Sequence, residues 1–373
     1  MLQSLSAKPH RVVMTLDAVG GVWRYAMDLG TALAETGVSV TFTGLGPEPS
    51  AAQRHEADAV GELIWLDAPL DWMADRQSEL DCVPDLLSRV VENARADLVH
   101  LNLPSQACEL SLGCPIIVAS HSCVVTWFRS VRGSNVPASW AWQQACNRRG
   151  FDRATAVVAP SASYAALLRT CYGQIDHLTV VPNAVRPIAP VAVKEEVVFA
   201  AGRWWDEGKN GAVLDAAAPA IEWPVTMAGP TSGPSGQFLP ITNAQALGQL
   251  PHREVRARMA RAAIVVSPSL YEPFGLAALE AASAGAALVL ADIPTYREIW
   301  DGAALFAAPG DPAAFTDATN RLIRDSSLRH EMAQRANARA ARFSLGAQAD
   351  AMLAIYGSAL AQHMVVPEIA GQP

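Results

Sequence analysis

The chain has 373 residues, with 28 Lys or Arg against 36 Asp or Glu, so its formal charge at pH 7 is −8. At roughly 150 residues per domain, this length predicts two or three domains. The hydrophobic fraction of 51% is ample for packed cores and excludes long disorder. The acidic balance argues against a nucleic-acid partner, because such partners favour basic patches.

The sequence contains no apolar run of the roughly 18–20 residues that a membrane helix needs. Near the start, residues 12–16 form an apolar stretch that is too short for a signal-peptide core. The six cysteines form no Cys-x-x-Cys pair, which argues against a zinc ribbon or a thioredoxin-like motif. We therefore expect a cytoplasmic protein without a transmembrane segment. The alternative is weak peripheral membrane association, but residues 51–62 mix both charges.

Short β-branched runs alternate with longer helical patterns along the chain. The predicted strands are residues 11–16, 38–42, 97–101, 115–119, 156–159, 178–181, 197–201, 225–228, 263–267, 287–291 and 304–307. The predicted helices are residues 22–35, 138–149, 210–220, 253–261, 276–284, 326–342 and 345–361. This alternation indicates parallel sheets that are covered by helices on both faces.

Residues 182–196 contain three prolines and no helical period, so they read as an inter-domain linker. On each side of them a strand leads into a glycine turn and a helix. We expect an α/β fold of two doubly wound, Rossmann-like domains that face each other across a cleft. The predicted divisions are an N-terminal domain (1–185), a C-terminal domain (186–345) and a terminal helix (346–373) that packs back on the first domain.

The first candidate site is Gly20-Gly21, between a predicted strand and a predicted helix. Two glycines allow a ligand to approach the backbone, and a helix start offers unpaired N–H groups to an anion. A tight turn explains the pair equally well. The full G-x-G-x-x-G pattern is absent, which counts against a dinucleotide-binding dehydrogenase.

The second candidate follows the strand at 197–201 and reads GRWWDEGKN. Its Arg203 and Lys209 can converge on a diphosphate, the guanidinium through paired contacts and the ammonium as a mobile point charge. The alternative is a solvated surface loop with an Arg–Asp pair.

The most informative motif reads SLYEPFGLAALE and ends at Glu280. The backbone N–H groups of Phe274, Gly275 and Leu276 would point out of a helix start, where they suit phosphate or sugar oxygens. Glu280 could accept hydrogen bonds from vicinal hydroxyls, and Glu272 lies on the preceding loop. Two carboxylates could also form a glycosidase pair, but the anion-binding loop favours a charged sugar donor.

His121 follows the predicted strand 115–119 and would therefore lie at a carboxyl end of the sheet. A structural role for a lone histidine is the alternative. The sequence shows no carboxylate cluster with the spacing of metal ligands.

Together these motifs resemble those of the retaining GT-B glycosyltransferases of the large family-four group, over nearly the whole chain. The most specific element is the Glu-x7-Glu motif from Glu272 to Glu280. The weaker elements are Gly20-Gly21 and residues 97–100, 181–185, 202–210, 248–250 and 309–311. The chain departs from the family pattern at Trp204-Trp205, Ala184 and Ala286-Ala287, none of which removes a charged residue.

The resemblance implies a GT-B fold and a donor site in the second domain. Arg203 and Lys209 would hold the donor diphosphate and stabilise it as the leaving group. Glu280 would bind the ribose hydroxyls. Glu272 and the amides of residues 274–276 would hold the transferred sugar.

The resemblance also implies that Gly20 and Gly21 contact phosphate, that His121 contacts the sugar near the reacting carbon, and that the nucleobase lies near Leu250. The donor would be a nucleotide diphospho-hexose such as a UDP- or GDP-sugar. The acceptor would be a small molecule, a glycan or a lipid-linked hydroxyl compound. Transfer would retain the anomeric configuration without a protein nucleophile, a metal or a cofactor. The alternatives are a GT-B-like phosphorylase, a sugar-nucleotide hydrolase or epimerase, and a catalytically silent subunit.

Overall fold

A computed structural model describes residues 8–365 of the chain, and these residues form two compact units. Unit 1 contains the described residues up to Arg129, Gly133–Asn183, and the described residues from Leu345 onward. Unit 2 contains Ser130–Arg132 and Ala184–Ser344. Within each unit, helices connect most strands of one parallel sheet.

Unit 1 has a sheet of seven parallel strands in the order β3-β2-β1-β4-β5-β6-β7. Its strands are β1 (Arg11–Leu16), β2 (Ser39–Gly44), β3 (Glu62–Trp65), β4 (Leu98–Leu101), β5 (Ile116–Ala119), β6 (Ala156–Ala159) and β7 (Leu178–Val180). Its helices are α1 (Gly21–Glu35), α2 (Ala51–Asp58), α3 (Val83–Ala94), α4 (Val124–Trp127), α5 (Ala141–Arg153), α6 (Ala162–Tyr172) and α13 (Leu345–Val365).

Unit 2 has a sheet of six parallel strands in the order β10-β9-β8-β11-β12-β13. Its strands are β8 (Glu195–Ala201), β9 (Val225–Ala228), β10 (Gln245–Gly248), β11 (Ala262–Ser267), β12 (Ala287–Ala291) and β13 (Leu305–Ala307). Its helices are α7 (Gly211–Ala217), α8 (His252–Arg261), α9 (Leu276–Ser283), α10 (Pro294–Trp300), α11 (Pro312–Arg324) and α12 (Ser326–Ala340).

When the strands of each unit are numbered along the chain, both sheets begin with the same spatial order: third, second, first, fourth, fifth, sixth. In each, the direction of winding reverses between the first and the fourth strand, which is where doubly wound sheets bind ligands. The predicted α/β class with two doubly wound, Rossmann-like units is confirmed. None of the helices within residues 8–365 is long and apolar enough to cross a membrane.

Two sequence predictions about elements are wrong in detail, and two edge strands were not predicted. The missed strands are β3 and β10, and the predicted linker 182–196 runs two residues into β8, which begins at Glu195. The predicted helix 138–149 is a single 3-10 turn followed by α5, which continues to Arg153.

Helix α13 packs against α1 within unit 1. Met352, Tyr356 and Ala359 are buried, and their spacing of four and three residues gives the helix one apolar stripe. The Tyr356 hydroxyl lies 2.6 Å from Nδ1 of His100, which is buried in β4. The predicted segment 346–373 extends beyond this helix, and residues 366–373 lie outside the described part of the chain.

Asp215 in α7 fixes the loop that precedes β10. Its buried carboxylate accepts hydrogen bonds from the backbone N–H groups of Thr242, Asn243 and Ala244, at 2.9 to 3.2 Å. Burial alone would raise the pKa of Asp215. The hydrogen bonds from Ala244, Asn243 and Thr242 outweigh burial, so the pKa is lowered.

We expect Asp215→Ala to lower the free energy of unfolding at pH 7 by about 1–2 kcal/mol, because three backbone N–H groups of a partly exposed loop lose the carboxylate that fixes them. Urea unfolding measures this change, with Asp317→Ala, an exposed aspartate on α11, as the control. A lowered pKa means that the stabilisation is present above the ordinary pKa and is lost as the pH falls through the folded-state pKa. The difference in the free energy of unfolding between the two variants should therefore decrease at acidic pH. Equal stability of both variants at pH 7 contradicts the assignment.

Candidate functional site

In unit 2, the loops that follow β8 and β11 are hydrogen-bonded to each other. The Gly208 carbonyl accepts from the N–H groups of Leu270 at 2.9 Å and Tyr271 at 3.3 Å. The Asn210 side chain donates to the carbonyls of Pro268 at 2.9 Å and Pro309 at 2.7 Å. Asn210 has a φ of 55°, a left-handed conformation that asparagine tolerates better than most residues. Because β8 and β11 are neighbours, both loops meet at the point where the sheet reverses its winding.

This junction brings Lys209 and Glu272 together. Lys209 Nζ lies 2.6 Å from Glu272 Oε2, and the side chains are 21% and 17% exposed. Arg203 lies on the same loop, 3.5 Å from Asp206 Oδ2 and 5.5 Å from the centroid of the Trp205 ring. The Arg–Asp pair of the surface-loop interpretation is therefore present, but Lys209 pairs with Glu272, the first carboxylate of the motif SLYEPFGLAALE.

Helix α9 begins beside this ion pair, and no side chain caps its start. Gly275 precedes it with a φ of +92°, which favours glycine. A Cβ at this position would lie 2.7 Å from the Tyr296 ring, so the space also requires glycine. Phe274 is buried against Phe343, and Leu276 is half-buried. The first turn of α9 thus offers N–H groups next to Lys209 and Glu272.

Glu280 is buried in α9 and pairs with two residues of α8. Its Oε1 lies 3.1 Å from Arg256 Nη1 and 2.9 Å from His252 Nε2. Arg256 also donates to the backbone carbonyls of Arg186 and Pro187, so its position is fixed on two sides. Sequence reasoning missed these partners. Their spacing of four residues on a helix was the available signal, but it does not reveal a carboxylate on another helix.

The family resemblance of the sequence implies that Glu280 binds the ribose of a nucleotide donor. On that basis we expect Arg256→Met to weaken the binding of a nucleoside diphosphate about tenfold, since Glu280 then loses the cation that orients it. Isothermal titration calorimetry with UDP and GDP measures the change. Arg258→Met is the matched control, because Arg258 lies on the same helix and pairs with Glu254 instead. An equal effect of the two substitutions contradicts a positioning role for Arg256.

Leu250 follows β10 and is half-buried against the core of unit 2, next to the exposed Gln249. Gly248 has a φ of +64°, so the chain turns sharply before these two residues. Within residues 8–365, no group of three or more His, Cys, Asp or Glu side chains could hold a metal ion.

In unit 1, Gly20 and Gly21 lie between β1 and α1. Asp17 Oδ1 accepts hydrogen bonds from the N–H groups of Val19 at 2.8 Å and Gly20 at 3.2 Å. No side chain caps the start of α1. Gly20 has a φ of −145°, which any residue adopts, so its conformation alone does not require glycine.

His121 follows β5, and its Nε2 lies 2.8 Å from Oδ1 of Asn102, which follows β4. The Asn102 amide nitrogen donates to the carbonyl of Thr15, and this contact assigns the oxygen to the side of His121. Because that oxygen can only accept, His121 carries its proton on Nε2 and presents Nδ1 as an acceptor. Burial, with a smaller effect from His100, lowers the pKa of His121 to about 3, so the ring is neutral.

The same amide oxygen also orients His100. His100 Nε2 lies 3.2 Å from Asn102 Oδ1, and its Nδ1 lies 2.6 Å from the Tyr356 hydroxyl. The Tyr25 hydroxyl is 3.4 Å from His100, and its ring packs edge-on against His121 at 4.3 Å. Burial lowers the pKa of His100 to about 4. A neutral network thus holds His121, and only His121 was predicted as a site residue.

Two family models match the chain. The model "Glycosyltransferase Family 4" matches residues 19–187, and "Glycosyl transferases group 1" matches residues 228–339. Among solved structures, sucrose-phosphate synthase from Thermosynechococcus elongatus has a TM-score of 0.79 at 18% identity, covering 95% of this chain and 100% of that one. HepE from Anabaena, in complex with UDP and glucose, has a TM-score of 0.73 at 15% identity, covering 92% and 98%. These neighbours show that the chain has the GT-B fold.

Curated relatives align over shorter segments. The D-inositol 3-phosphate glycosyltransferase of Frankia alni is 38% identical over 112 residues, which cover 30% of this chain and 28% of that protein. The glycogen synthase of Mycobacterium tuberculosis is 40% identical over 95 residues, which cover 25% of this chain and 23% of that protein. The chain thus spans about a quarter of the length of these relatives. Together with the fold, the two family matches resemble the arrangement of GT-B glycosyltransferases of the family-4 type.

Proposed function

We propose that the chain is a retaining glycosyltransferase that moves a hexose from a nucleoside diphospho-sugar, such as a UDP- or GDP-sugar, to an acceptor hydroxyl. The observation that carries this proposal is the junction in unit 2. There a lysine, a carboxylate and an uncapped helix start meet at the point where the sheet reverses its winding. A cation and backbone N–H groups suit a diphosphate, and a carboxylate suits sugar hydroxyls.

In this proposal the donor separates the ion pair of Lys209 and Glu272. Lys209 and Arg203 bind the diphosphate, and Glu272 accepts hydrogen bonds from the sugar hydroxyls. The N–H groups of residues 274–276 complete the contacts to the donor. An ion pair that is about one-fifth exposed can exchange partners in this way, because each charge receives a new partner of the right sign.

Glu280 is proposed to bind the ribose hydroxyls, with the base near Leu250. Arg256 and His252 both contact Oε1 of this carboxylate, so Oε2, with two lone pairs, is the oxygen left to accept hydrogen bonds from the vicinal hydroxyls. The UDP and glucose bound by HepE support a nucleotide-sugar donor. From unit 1 we assign Gly20 and Gly21 to a phosphate and His121 to the transferred sugar.

The proposed reaction breaks the bond between the anomeric carbon and the diphosphate oxygen. Arg203 and Lys209 stabilise the charge that develops on the leaving group, which is the contribution of an electrostatic catalyst. The acceptor oxygen bonds to the same face of the anomeric carbon, and its proton passes to the leaving phosphate oxygen. His121, neutral with Nδ1 as an acceptor, orients a hydroxyl of the sugar. The proposal needs no protein nucleophile, metal or cofactor.

A panel of nucleotide sugars in buffer with EDTA tests this proposal through thermal shift and released nucleoside diphosphate. We expect one donor to raise the melting temperature of the protein and to be turned over. NMR of the product should then show the same anomeric configuration as in the donor. Inverted configuration contradicts the retaining mechanism. Release of free sugar in the presence of acceptors favours a hydrolase, and tight binding without turnover favours a silent subunit.

A further inference from the structure

Two cysteines of unit 1 face each other on neighbouring elements. Cys108 directly follows the 3-10 turn Pro104–Ala107, and Cys146 lies in α5, which packs against that turn. Both thiols are free and buried, and they are hydrogen-bonded to each other. The Cys146 sulfur also lies 3.7 Å from the Ser105 carbonyl oxygen. The two sulfur atoms are therefore neighbours in the reduced protein.

The backbones of the two elements approach each other closely at Gly150, one helical turn after Cys146. A Cβ at Gly150 would overlap the Pro104 carbonyl oxygen, so the contact requires glycine. Pro104 precedes Cys108 by four residues, and Gly150 follows Cys146 by four residues, so the two cysteines face each other one turn from this contact. A disulfide requires facing residues on closely spaced backbones, and this packing favours both conditions.

The surroundings of the Cys108 sulfur favour its thiolate. Arg149, on the same face of α5 as Cys146, donates from Nε to Cys108 Sγ at 3.2 Å. The hydrogen bond from Cys146 lowers the pKa of Cys108 most, burial opposes it, and the charge of Arg149 lowers it further. Glu109, whose Oε1 lies 3.5 Å from the sulfur, raises this pKa, but the net change is downward. The same hydrogen bond and burial raise the pKa of Cys146, so Cys108 is the better nucleophile of the two.

A cavity gives small molecules access to this thiol pair. Cys108 and Cys146 both line a cavity of about 170 Å³ in unit 1. Its lining includes the exposed residues Asp81 and Glu109, so the cavity opens to solvent there. The volume holds several molecules of the size of water, and hydrogen peroxide therefore fits beside the two sulfur atoms.

We propose that Cys108 and Cys146 form a redox-sensitive pair, which a hydroperoxide converts reversibly into a disulfide. The Cys108 sulfur attacks a peroxide oxygen, so that an S–O bond forms and the O–O bond breaks. The leaving oxygen takes the proton released by Cys108, which gives a sulfenic acid and water or an alcohol. The Cys146 sulfur then attacks the Cys108 sulfur, an S–S bond forms, and hydroxide leaves with the Cys146 proton as water. Two electrons pass from the thiols to the peroxide.

The modification is separate from the proposed glycosyl transfer, and its test needs no turnover. The folded full chain is treated with hydrogen peroxide, alkylated and mapped by peptide mass spectrometry. We expect a cross-linked peptide of Cys108 and Cys146, lighter by two hydrogen atoms, and its full reversal by dithiothreitol. Cys114 and Cys171 should react more slowly than Cys108, because burial raises the pKa of each to about 11. Oxidation of Cys108 without the cross-link, or no faster than that of Cys114, overturns the proposal.

Three variants assign the roles within the pair. Cys146→Ser should leave Cys108 as a sulfenic acid that dimedone traps, and further oxidation to the sulfinic acid should then resist thiols. Arg149→Met should slow disulfide formation about fivefold, because the Cys108 thiolate loses its cation. Arg153→Met is the matched control, since both arginines lie on α5 and pair with Glu109, and the two variants differ at the sulfur contact. Equal rates in the two arginine variants, or the absence of a dimedone adduct in Cys146→Ser, overturns the proposal.

Discussion

The double variant Arg203→Ala/Lys209→Met is expected to lower kcat/KM for the donor by about a thousandfold. Both side chains are proposed to face a leaving group that gains charge as the glycosidic bond breaks. Removing a single hydrogen-bond donor of this kind lowers kcat by about a hundredfold. The loss should appear mainly in kcat, because the stabilised charge is largest in the transition state. Steady-state release of nucleoside diphosphate measures it.

The control for this loss removes two cations elsewhere in unit 2. Arg258→Ala/Arg261→Ala deletes partners of Glu254 and Glu195 and should leave kcat/KM within about twofold. The melting temperature must be recorded for both proteins, since Lys209→Met leaves Glu272 without its cation. Wild-type turnover in the Arg203/Lys209 variant would falsify the electrostatic role and return both residues to the surface-loop interpretation.

The fold was predictable because most strands can be recognised from their local sequence. The strands β6, β9 and β12 fall at the predicted residues, since short, mostly apolar runs between turns suffice to define a buried strand. The strands β3 and β10 were not predicted because each has four residues, begins with a polar residue (ELIW and QALG), lies at a sheet edge and is not fully buried. Their pairing depends on a neighbour that the local sequence does not reveal.

The site was predictable as positions on loops but not as pairs of side chains. Strand-loop-helix order put Lys209 and Glu272 at the same edge of one sheet, and the structure shows their ion pair. The contacts of Glu280 with α8, and of Asn102 with His121, join residues on separate elements. Local periodicity carries no information about such contacts. The catalytic and binding roles themselves stay predictions until turnover is measured.

Substitution of Asn102 should change the pH dependence of turnover, which tests the role of His121. In the wild type, burial keeps the pKa of His121 at about 3, so the rate should show no His121 limb between about pH 5 and 8. Asn102→Asp places a carboxylate beside Nε2 of both His121 and His100, which raises the pKa of each ring. Below the raised pKa, His121 is protonated on both nitrogens and Nδ1 no longer accepts. An acid limb should therefore appear in kcat, falling as the pH falls.

Asn102→Leu tests the tautomer without adding charge. It leaves Nε2 of His121 without its acceptor, so both neutral tautomers become populated and kcat should fall about tenfold to a hundredfold. Nitrogen-15 NMR of the His121 ring reads the tautomer directly, and a purely structural role for Asn102 would not move it. Asn147→Asp is the matched control, since Asn147 is also fully buried in unit 1 but bonds to Tyr172. If Asn147→Asp produces the same acid limb, a buried carboxylate acts through stability alone. If only Asn102→Asp produces it, the amide of Asn102 sets the protonation state on which His121 depends.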